Sequence, residues 1–350
     1  MTPRQRVTNP YIAGNPITGE RMFFGRQDVF EDVRNNLLGA YQNNVIVLYG
    51  EHRTGKTSVL YQMRRHLPED YLPVLIDLQG VALDGMANFL CDVAHAIQRT
   101  LRKDYGIKAP RPKRSAFAAD PRYQFQEEFL GQVRAAIGDA HLLLMFDEVE
   151  LLEKKIRSGE LEQDVIHYVN SLMQHWPGLD FLFVLGSKLE ERRRDFSTLF
   201  RVALYKEISF LEPAEARALI VEPARGVLDY DPAAVERILC ITSGHPYYTQ
   251  LLCHCLFARC QARGSTRVTV DDVEAVLPET VERGMVNLKH VWEDASETER
   301  FVLAALAKAT SGRKRKASRR SVERTLKHHG VALTASEVNA ALRNLAQRDV

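Results

Sequence analysis

The stretch GEHRTGKT (Gly50–Thr57) decides the fold class of this 350-residue chain. It matches the pattern G-x-x-x-x-G-K-[ST], in which glycines let the backbone curl so that successive N–H groups point at phosphate oxygens. The apolar, β-branched run Asn44–Tyr49 precedes it and predicts a buried strand, and Ser58–His66 predicts a helix. A strand, a loop and a helix in this order is the context that the pattern requires. The stretch therefore predicts a phosphate-binding loop.

Each residue type in this loop has an expected task. The helix that follows the loop adds its positive N-terminal end to the phosphate site. Lys56 is expected to reach the β- and γ-phosphates as a catalytic residue, and the hydroxyl of Thr57 is expected to bind Mg²⁺. The predicted nucleotide contacts of this segment are Gly50, Arg53, Thr54, Gly55, Lys56, Thr57 and Ser58.

A second apolar run, Leu142–Phe146, ends in the two carboxylates Asp147 and Glu148. In doubly wound sheets ligands bind at the carboxyl ends of the strands, so these side chains are expected at the phosphate site. Asp147 is predicted to hold Mg²⁺ through water, and Glu148 to orient and activate the attacking water as the catalytic base. Glu150 is expected to be merely exposed.

The run Phe181–Leu185 predicts a further strand, and Ser187 and Lys188 follow its end. These two residues would touch the γ-phosphate if this strand lies between the two motif strands; otherwise they are ordinary polar residues at a strand end. The basic run Arg192–Arg194 could include an arginine finger, although a solvated basic face is the preferred interpretation.

The remaining pattern predicts the fold class. Leu72–Leu78 predicts a strand, Ala203–Ser209 is a possible fifth one, and helical segments alternate with all of them. Continuous apolar strands alternating with helices indicate an α/β fold with a parallel five-stranded sheet covered on both faces, which is a three-layer P-loop arrangement. Ala109–Tyr123, rich in Pro and Arg, is predicted to be an irregular surface insertion. The pattern after Phe210 is helical throughout.

With these segments in place, the chain resembles the STAND class of AAA+-related P-loop ATPases, including the archaeal-type ATPases. Met22–Asp28 looks like the hydrophobic-hydrophobic-Gly-Arg-Glu box of that class, with Gln27 in place of the usual Glu. The resemblance implies that Phe24 and Arg26 contact the nucleotide, ATP or ADP with Mg²⁺. Gly244-His245-Pro246 resembles the Gly-x-Pro motif of the helical lid, with Pro246 as the contact. Lys188 stands where many members place a sensing Arg.

The resemblance also implies a layout and a mode of action. We expect an N-terminal arm over residues 1–22, an ATPase core of the ASCE type over 23–210 and a helical lid over 211–290. A winged-helix-like domain, with its wing absent or truncated, is expected over 291–350. In this class ADP favours a closed form, and exchange for ATP opens the lid and exposes a surface for self-assembly. The Asp147-Glu148 pair is closer to hydrolysing AAA+ enzymes than to weakly hydrolysing members, so ATP hydrolysis is expected. We expect its rate to be slow.

The charge of the chain is unevenly distributed. Its formal net charge is +2, but Ala295–Val350 holds 12 basic and five acidic residues, so +7, which leaves −5 for the rest. The possible DNA contacts in this part are Arg313, Lys314, Arg315, Lys316, Arg319 and Arg320. Three interpretations stay open for them: contact with the backbone of duplex DNA, contact with a partner subunit, or a solvated loop.

Composition excludes several classes of protein. No apolar run approaches the ~18 residues of a membrane span, and the first residues lack the apolar core of a signal peptide. We therefore expect a cytoplasmic protein without a membrane partner, whose five cysteines stay reduced. Three functions remain open: an ATP-hydrolysing switch that assembles with itself and signals to an unknown effector or sensor, a DNA-acting ATPase, and a nucleotide-gated scaffold with little hydrolysis.

Overall fold

The computed structural model of the chain describes residues 8–39, 45–186, 200, 203–310 and 317–347. It divides into two compact units: Pro16–Ile208 forms one, and Met1–Asn15 together with Ser209–Val350 forms the other. None of the helices among the described residues is long and apolar enough to cross a lipid bilayer.

A five-stranded parallel sheet is the centre of the first unit. Its strands are β1 (Val45–Tyr49), β2 (Tyr71–Asp77), β3 (His141–Asp147), β4 (Leu179–Leu185) and β5 (Leu204–Glu207). They lie in the order β2-β3-β4-β1-β5, and every neighbouring pair is parallel. The first four strands are mostly apolar because helices cover both faces of the sheet. The predicted α/β fold with five parallel strands is confirmed.

Helices form the outer two layers of this unit. They are α1 (Gln27–Leu37), α2 (Lys56–His66), α3 (Met86–Asp104), α4 (Arg114–Ala119), α5 (Pro121–Tyr123), α6 (Gly131–Ile137), α7 (Glu150–Arg157) and α8 (Asp164–His175). Short 3₁₀ turns lie at Glu20–Met22 and Leu78–Gly80, and a π-helical segment covers Gln124–Leu130. One hydrophobic core joins α1 and α2 to the sheet, and a second joins α3, α6 and α8 to its other face.

The prediction of an irregular insertion at Ala109–Tyr123 is wrong. Part of it folds into α4 and α5, and Phe117 of α4 is only 2% exposed within the core that also contains α3. Arg114 donates to Asp92 and Asn88 of α3 over 2.7 Å and 2.8 Å. The proline and arginine content suggested a mobile loop, whereas one buried aromatic side chain and two polar contacts attach the segment to the core.

The second unit is almost wholly helical. Its helices are α9 (Pro213–Val221), α10 (Pro232–Thr242), α11 (Pro246–Arg263), α12 (Val270–Asp294), α13 (Glu297–Ala309), α14 (Arg319–His328) and α15 (Ala335–Gln347). Two short strands, β6 (Asp229–Tyr230) and β7 (Arg267–Val268), pair with each other. Helices α13, α14 and α15 enclose a hydrophobic core of their own, formed by Val302, Ala305, Val322, Leu326, Val338, Ala341 and Leu345.

Candidate nucleotide-binding site

The loop Gly50–Thr57 curls between β1 and α2, as its sequence pattern predicts. A Cβ atom on Gly50 would lie 2.2 Å from the carbonyl oxygen of Ile208, so no other residue fits there without a shift of the backbone. Arg53 and Gly55 both adopt positive φ angles, 62° and 98°, and Gly55 caps α2. The loop backbone therefore bends tightly just before the helix N-terminus, which is the geometry that binds an anion.

Lys56 is held inside this loop. Its Nζ atom donates to the carbonyl oxygens of Gly50 over 2.8 Å and of Glu51 over 2.6 Å. Burial lowers the pKa of the ammonium group, and the nearby carboxylates, first Glu150 and then Asp147, oppose that shift. A phosphate oxygen can replace the carbonyl acceptors, so the lysine is placed to bind phosphate without moving far.

Thr57 and Asp147 join the loop to the end of β3. The Thr57 hydroxyl donates to Oδ2 of Asp147 over 2.6 Å, and Asp147 is only 5% exposed. Burial raises the pKa of this carboxyl, partly offset by the hydrogen bond from Thr57. A hydroxyl and a carboxylate oxygen are ligands that Mg²⁺ prefers, so these two residues fit the predicted metal site. A bound cation would also stabilise the buried carboxylate charge.

Glu148 follows with a left-handed backbone, φ 58°, and its side chain is exposed. Its Oε2 atom accepts a 2.6 Å hydrogen bond from Nε2 of Gln79. Gln79 lies in the 3₁₀ turn directly after β2, which neighbours β3 in the sheet. Gln79 is not among the residues that the sequence motifs predict, although its position just after β2 points to this site once β2 is placed beside β3.

Glu150 differs from the expectation of a merely exposed side chain. It is half-buried in the first turn of α7, and its Oε1 atom accepts a hydrogen bond from the backbone N–H of Gly186, the residue after β4. Of the carboxylates around Lys56, Glu150 does most to raise the pKa of the lysine. Glu150 therefore ties the end of β4 to α7 and adds negative charge beside the phosphate loop.

The box at Met22–Asp28 also reaches the loop. Arg26 caps α1 with a left-handed backbone, φ 71°, is 7% exposed, and donates from Nη2 to the carbonyl oxygen of Thr54 over 2.9 Å. Phe24 is half-buried, while Phe23 packs against Phe30 with a centroid separation of 5.8 Å. The guanidinium of Arg26 thus holds the backbone of the loop at Thr54.

The other predicted site residues lie in different places. The Ser58 hydroxyl accepts from the backbone N–H of Ile17 over 2.9 Å, so it is engaged within the first unit. Strand β4 lies between β1 and β3, which is the arrangement that the proposed role of Ser187 and Lys188 requires. Those two residues and Arg192–Arg194 lie outside the described residues.

Pro246 belongs to the second unit, where it is the first residue of α11. The preceding Gly244 has φ 79°, and a Cβ atom there would lie 2.5 Å from the carbonyl oxygen of Leu211. Arg319 and Arg320 are exposed in the first turn of α14. The other four basic residues, Arg313–Lys316, lie outside the described residues.

Solved structures share this fold at low sequence identity. No protein-family profile and no curated protein matches the sequence. The chain is similar to a Walker-type ATPase of Pyrococcus abyssi, with 15% identity, a TM-score of 0.64, and 95% of this chain and 92% of that one covered. It is also similar to the ORC2 protein of Aeropyrum pernix in its ADP form, with 15% identity, a TM-score of 0.55 and coverages of 91% and 83%.

A third similar structure is Drosophila ORC bound to DNA, with 16% identity, a TM-score of 0.53 and coverages of 97% and 81%. At such identities the likeness establishes the architecture alone. The similarity to the Pyrococcus abyssi structure covers 95% of this chain and so extends over both units. In this chain the phosphate-binding loop follows β1 of the parallel sheet. The chain therefore shares the fold of these structures, a three-layer α/β core with a phosphate-binding loop, followed by a helical lid and a C-terminal domain.

Proposed function

We propose that this chain binds ATP and hydrolyses it slowly with Mg²⁺ as the metal ion. The observation that carries this proposal is the 2.6 Å hydrogen bond between Thr57 and Asp147, which brings the phosphate loop and the acidic end of β3 to one point. Lys56 lies in the same loop, and Glu148 follows Asp147 directly. A phosphate clamp, a metal site and a base are the parts that phosphoryl transfer to water needs.

The side chains divide the work in the following way. The loop N–H groups, the N-terminus of α2 and Lys56 bind the β- and γ-phosphates. Thr57 and Asp147 would hold Mg²⁺, which neutralises charge on the phosphate oxygens when it is bound. Glu148 leaves its hydrogen bond with Gln79, accepts a hydrogen bond from the attacking water, and takes its proton. Arg26 keeps the loop in shape through the carbonyl of Thr54.

Two substitutions test the chemistry. Glu148→Gln removes the base but keeps a side chain of the same shape, so we expect a loss of turnover of about 10²–10⁴-fold with nucleotide binding retained. Lys56→Ala removes the main cation of the phosphate site and is expected to abolish nucleotide binding. The exposed Lys103→Ala is a matched control. Unchanged turnover in Glu148→Gln, or tight binding in Lys56→Ala, would refute the assignment.

We further propose that hydrolysis serves a switch, in which ATP opens the lid and promotes self-assembly. The support is the fold, which is shared with a protein solved in an ADP form, and the compact division of this chain into two units. ATP can shift the equilibrium only if it binds the open form better than ADP does. Particle mass in the presence of ADP and of a non-hydrolysable ATP analogue tests this. Equal masses with both nucleotides count against assembly.

A DNA-acting ATPase is the second candidate. The observation that favours it is the basic face of α14, where Arg319, Arg320, Arg324 and Lys327 are all exposed, and one similar structure is Drosophila ORC bound to DNA. Each phosphate contact that a basic residue makes steepens the fall of affinity with salt. Neutralising the six bases among Arg313–Arg320 is therefore expected to flatten the salt dependence of duplex binding. An unaltered slope would reject this candidate.

A further inference from the structure

Helix α12 carries two different apolar stripes. One packs inside the second unit and includes Val273, Val276 and Gly284, the last of which lies against Leu251 and Tyr248 of α11. The other stripe consists of Val281, Met285, Leu288 and Trp292, whose exposures are 46%, 51%, 38% and 47%. We call this second set the exposed stripe. Four large apolar side chains on one exposed helix face indicate a contact surface rather than scattered surface residues.

The spacing of the exposed stripe is that of a helix-pairing seam. Its members follow one another at intervals of four, three and four residues. At 100° per residue all four point within about 60° of one another. Intervals of four and three are the d-to-a and a-to-d steps of a heptad, the pattern by which one helix packs along another.

We propose that the exposed stripe is the seam of a dimer in which α12 pairs antiparallel with α12 of a second copy of this chain. In this register Met285 lies opposite Leu288 of the second copy, and Val281 lies opposite Trp292 of the second copy. The two-fold axis repeats both contacts. Every member of the stripe then has an apolar partner, and a single helix supplies both halves of the seam.

Charge complementarity selects the antiparallel pairing. Glu282 and Lys289 occupy the e positions beside the stripe. Antiparallel helices bring e positions together, so Glu282 lies near Lys289 of the second copy, twice in the dimer. A parallel pairing would place Lys289 near Gly284 and Glu282 near Leu277, which leaves both charges without a partner across the seam. Lys289 now forms an exposed pair with Glu293 at 3.3 Å, and such a pair is easily rearranged.

Trp292, at one end of the stripe, is already held in place. Arg300 of α13 donates from Nε to the carbonyl oxygen of Trp292 over 2.8 Å and from Nη2 to that of Glu293 over 2.9 Å. Its guanidinium carbon lies 5.9 Å from the centroid of the indole ring. Trp and Arg are both enriched among the strongest contacts of interfaces, so this pair suits the end of a seam.

The expected affinity follows from the size of the seam. A stable interface uses about 20–30 residues on each side, whereas this seam uses a single helical stretch. We therefore expect a reversible dimer with a Kd in the range of about 1–100 µM. The stripe lies on α12 and shares no residue with the phosphate loop or the end of β3, so this inference is separate from the proposed ATPase activity.

Charge reversal provides the test, with sedimentation equilibrium of the full chain as the measurement. Glu282→Lys and Lys289→Glu each place like charges together twice, and each is expected to raise the dimer Kd at least tenfold. The double variant Glu282→Lys/Lys289→Glu restores opposite charges and is expected to return the Kd to within about threefold of the wild type. The matched control is Arg283→Glu, on another face of α12, which should leave the Kd unchanged.

The same measurements on a Lys56→Ala background separate the two proposals, because a dimer that persists there does not depend on nucleotide. Circular dichroism spectra of all variants check that the helices are retained. A wild-type chain that remains monomeric at about 200 µM would overturn the proposal. So would a double variant that fails to recover while remaining folded, which would assign the stripe to some other partner.

Discussion

Gln79 restrains the residue that we assign as the catalytic base. Its amide donates to the Glu148 carboxylate over 2.6 Å, and the same carboxylate must accept a hydrogen bond from water during hydrolysis. Hydrogen bonds to charged groups contribute about 1.5–3 kcal/mol, so this restraint can slow the reaction measurably.

Removing the restraint is therefore expected to raise basal turnover. We predict that Gln79→Ala increases the kcat of ATP hydrolysis about two- to tenfold with little change in nucleotide affinity. Steady-state kinetics measure the change in kcat, and equilibrium nucleotide binding measures the affinity. Gln163→Ala, another exposed glutamine, is the control. A turnover in Gln79→Ala at or below that of the wild type would show that Gln79 orients Glu148 for catalysis and does not restrain it.

The buried carboxylate of Asp147 lowers the stability of the folded protein when it is charged. Burial raises its pKa in the folded protein above the ordinary value that it has in the unfolded chain. Between those two values the folded state binds more protons, so stability falls as the pH rises through this window. Above the window the folded protein carries the full cost of the buried charge.

Replacing the carboxylate should therefore stabilise the protein while removing its metal ligand. We predict that Asp147→Asn raises the Tm at pH 7 by about 2–4 °C for each 1 kcal/mol gained, without Mg²⁺ or nucleotide. The difference from the wild type should shrink as the pH falls through the raised pKa of the Asp147 carboxyl, because the wild-type group then becomes neutral. Thermal unfolding at several pH values measures this, with the exposed Asp139→Asn as control. A wild type more stable than Asp147→Asn at pH 7 would contradict it.

Some residues of the candidate site can be predicted from a short stretch of sequence, and others only from the three-dimensional fold. The loop residues Lys56 and Thr57 and the carboxylates after β3 could be placed from sequence, because short motifs and one strand end define them. Gln79 and Glu150 could not, because their contacts depend on which strands are neighbours and on where α7 begins. Strand order is a long-range property that no local pattern in a single sequence contains.

At the scale of elements, Gly50 joins the phosphate loop to the sheet. Ile208 N–H donates to the Tyr49 carbonyl over 2.7 Å, and this contact brings the Ile208 carbonyl to where a Gly50 side chain would be. We predict that Gly50→Ala destabilises the first unit by more than about 2 kcal/mol and weakens nucleotide binding. Gly19→Ala, with no atom within 4 Å of the added Cβ, is the control for calorimetric unfolding. Equal stability of the two variants would refute the close approach.

The segment around α4 shows that proline and arginine content alone does not predict an irregular surface loop. Prolines and arginines dominate the segment, yet Phe117 packs into the same core as α3. We predict that Phe117→Ala destabilises the first unit by about 3–5 kcal/mol, as expected for a buried aromatic residue. Tyr123→Ala, at a side chain that is 50% exposed, should cost less than about 1 kcal/mol. Similar costs for both variants in calorimetric unfolding would mean that the segment is not anchored through Phe117.

At the scale of the whole molecule, the candidate phosphate site and the C-terminal hydrophobic core lie in different compact units. The phosphate site lies within Pro16–Ile208, whereas α13–α15 form a core of their own in the other unit. A ligand stabilises only the folded element that binds it, by about 2.7 kcal/mol at a free concentration of 100 times its Kd. Binding energy should therefore appear in one calorimetric transition and not in the other.

We predict that a non-hydrolysable ATP analogue raises the Tm of the transition assigned to the first unit by about 5–10 °C. The transition of the C-terminal three-helix element should not move, because its core contains no part of the phosphate site. Scanning calorimetry of the full chain tests both statements, and Phe117→Ala identifies the first unit's transition by lowering it. In Lys56→Ala the nucleotide shift should vanish. A single transition that shifts as a whole would contradict the prediction and show that the C-terminal element unfolds together with the first unit.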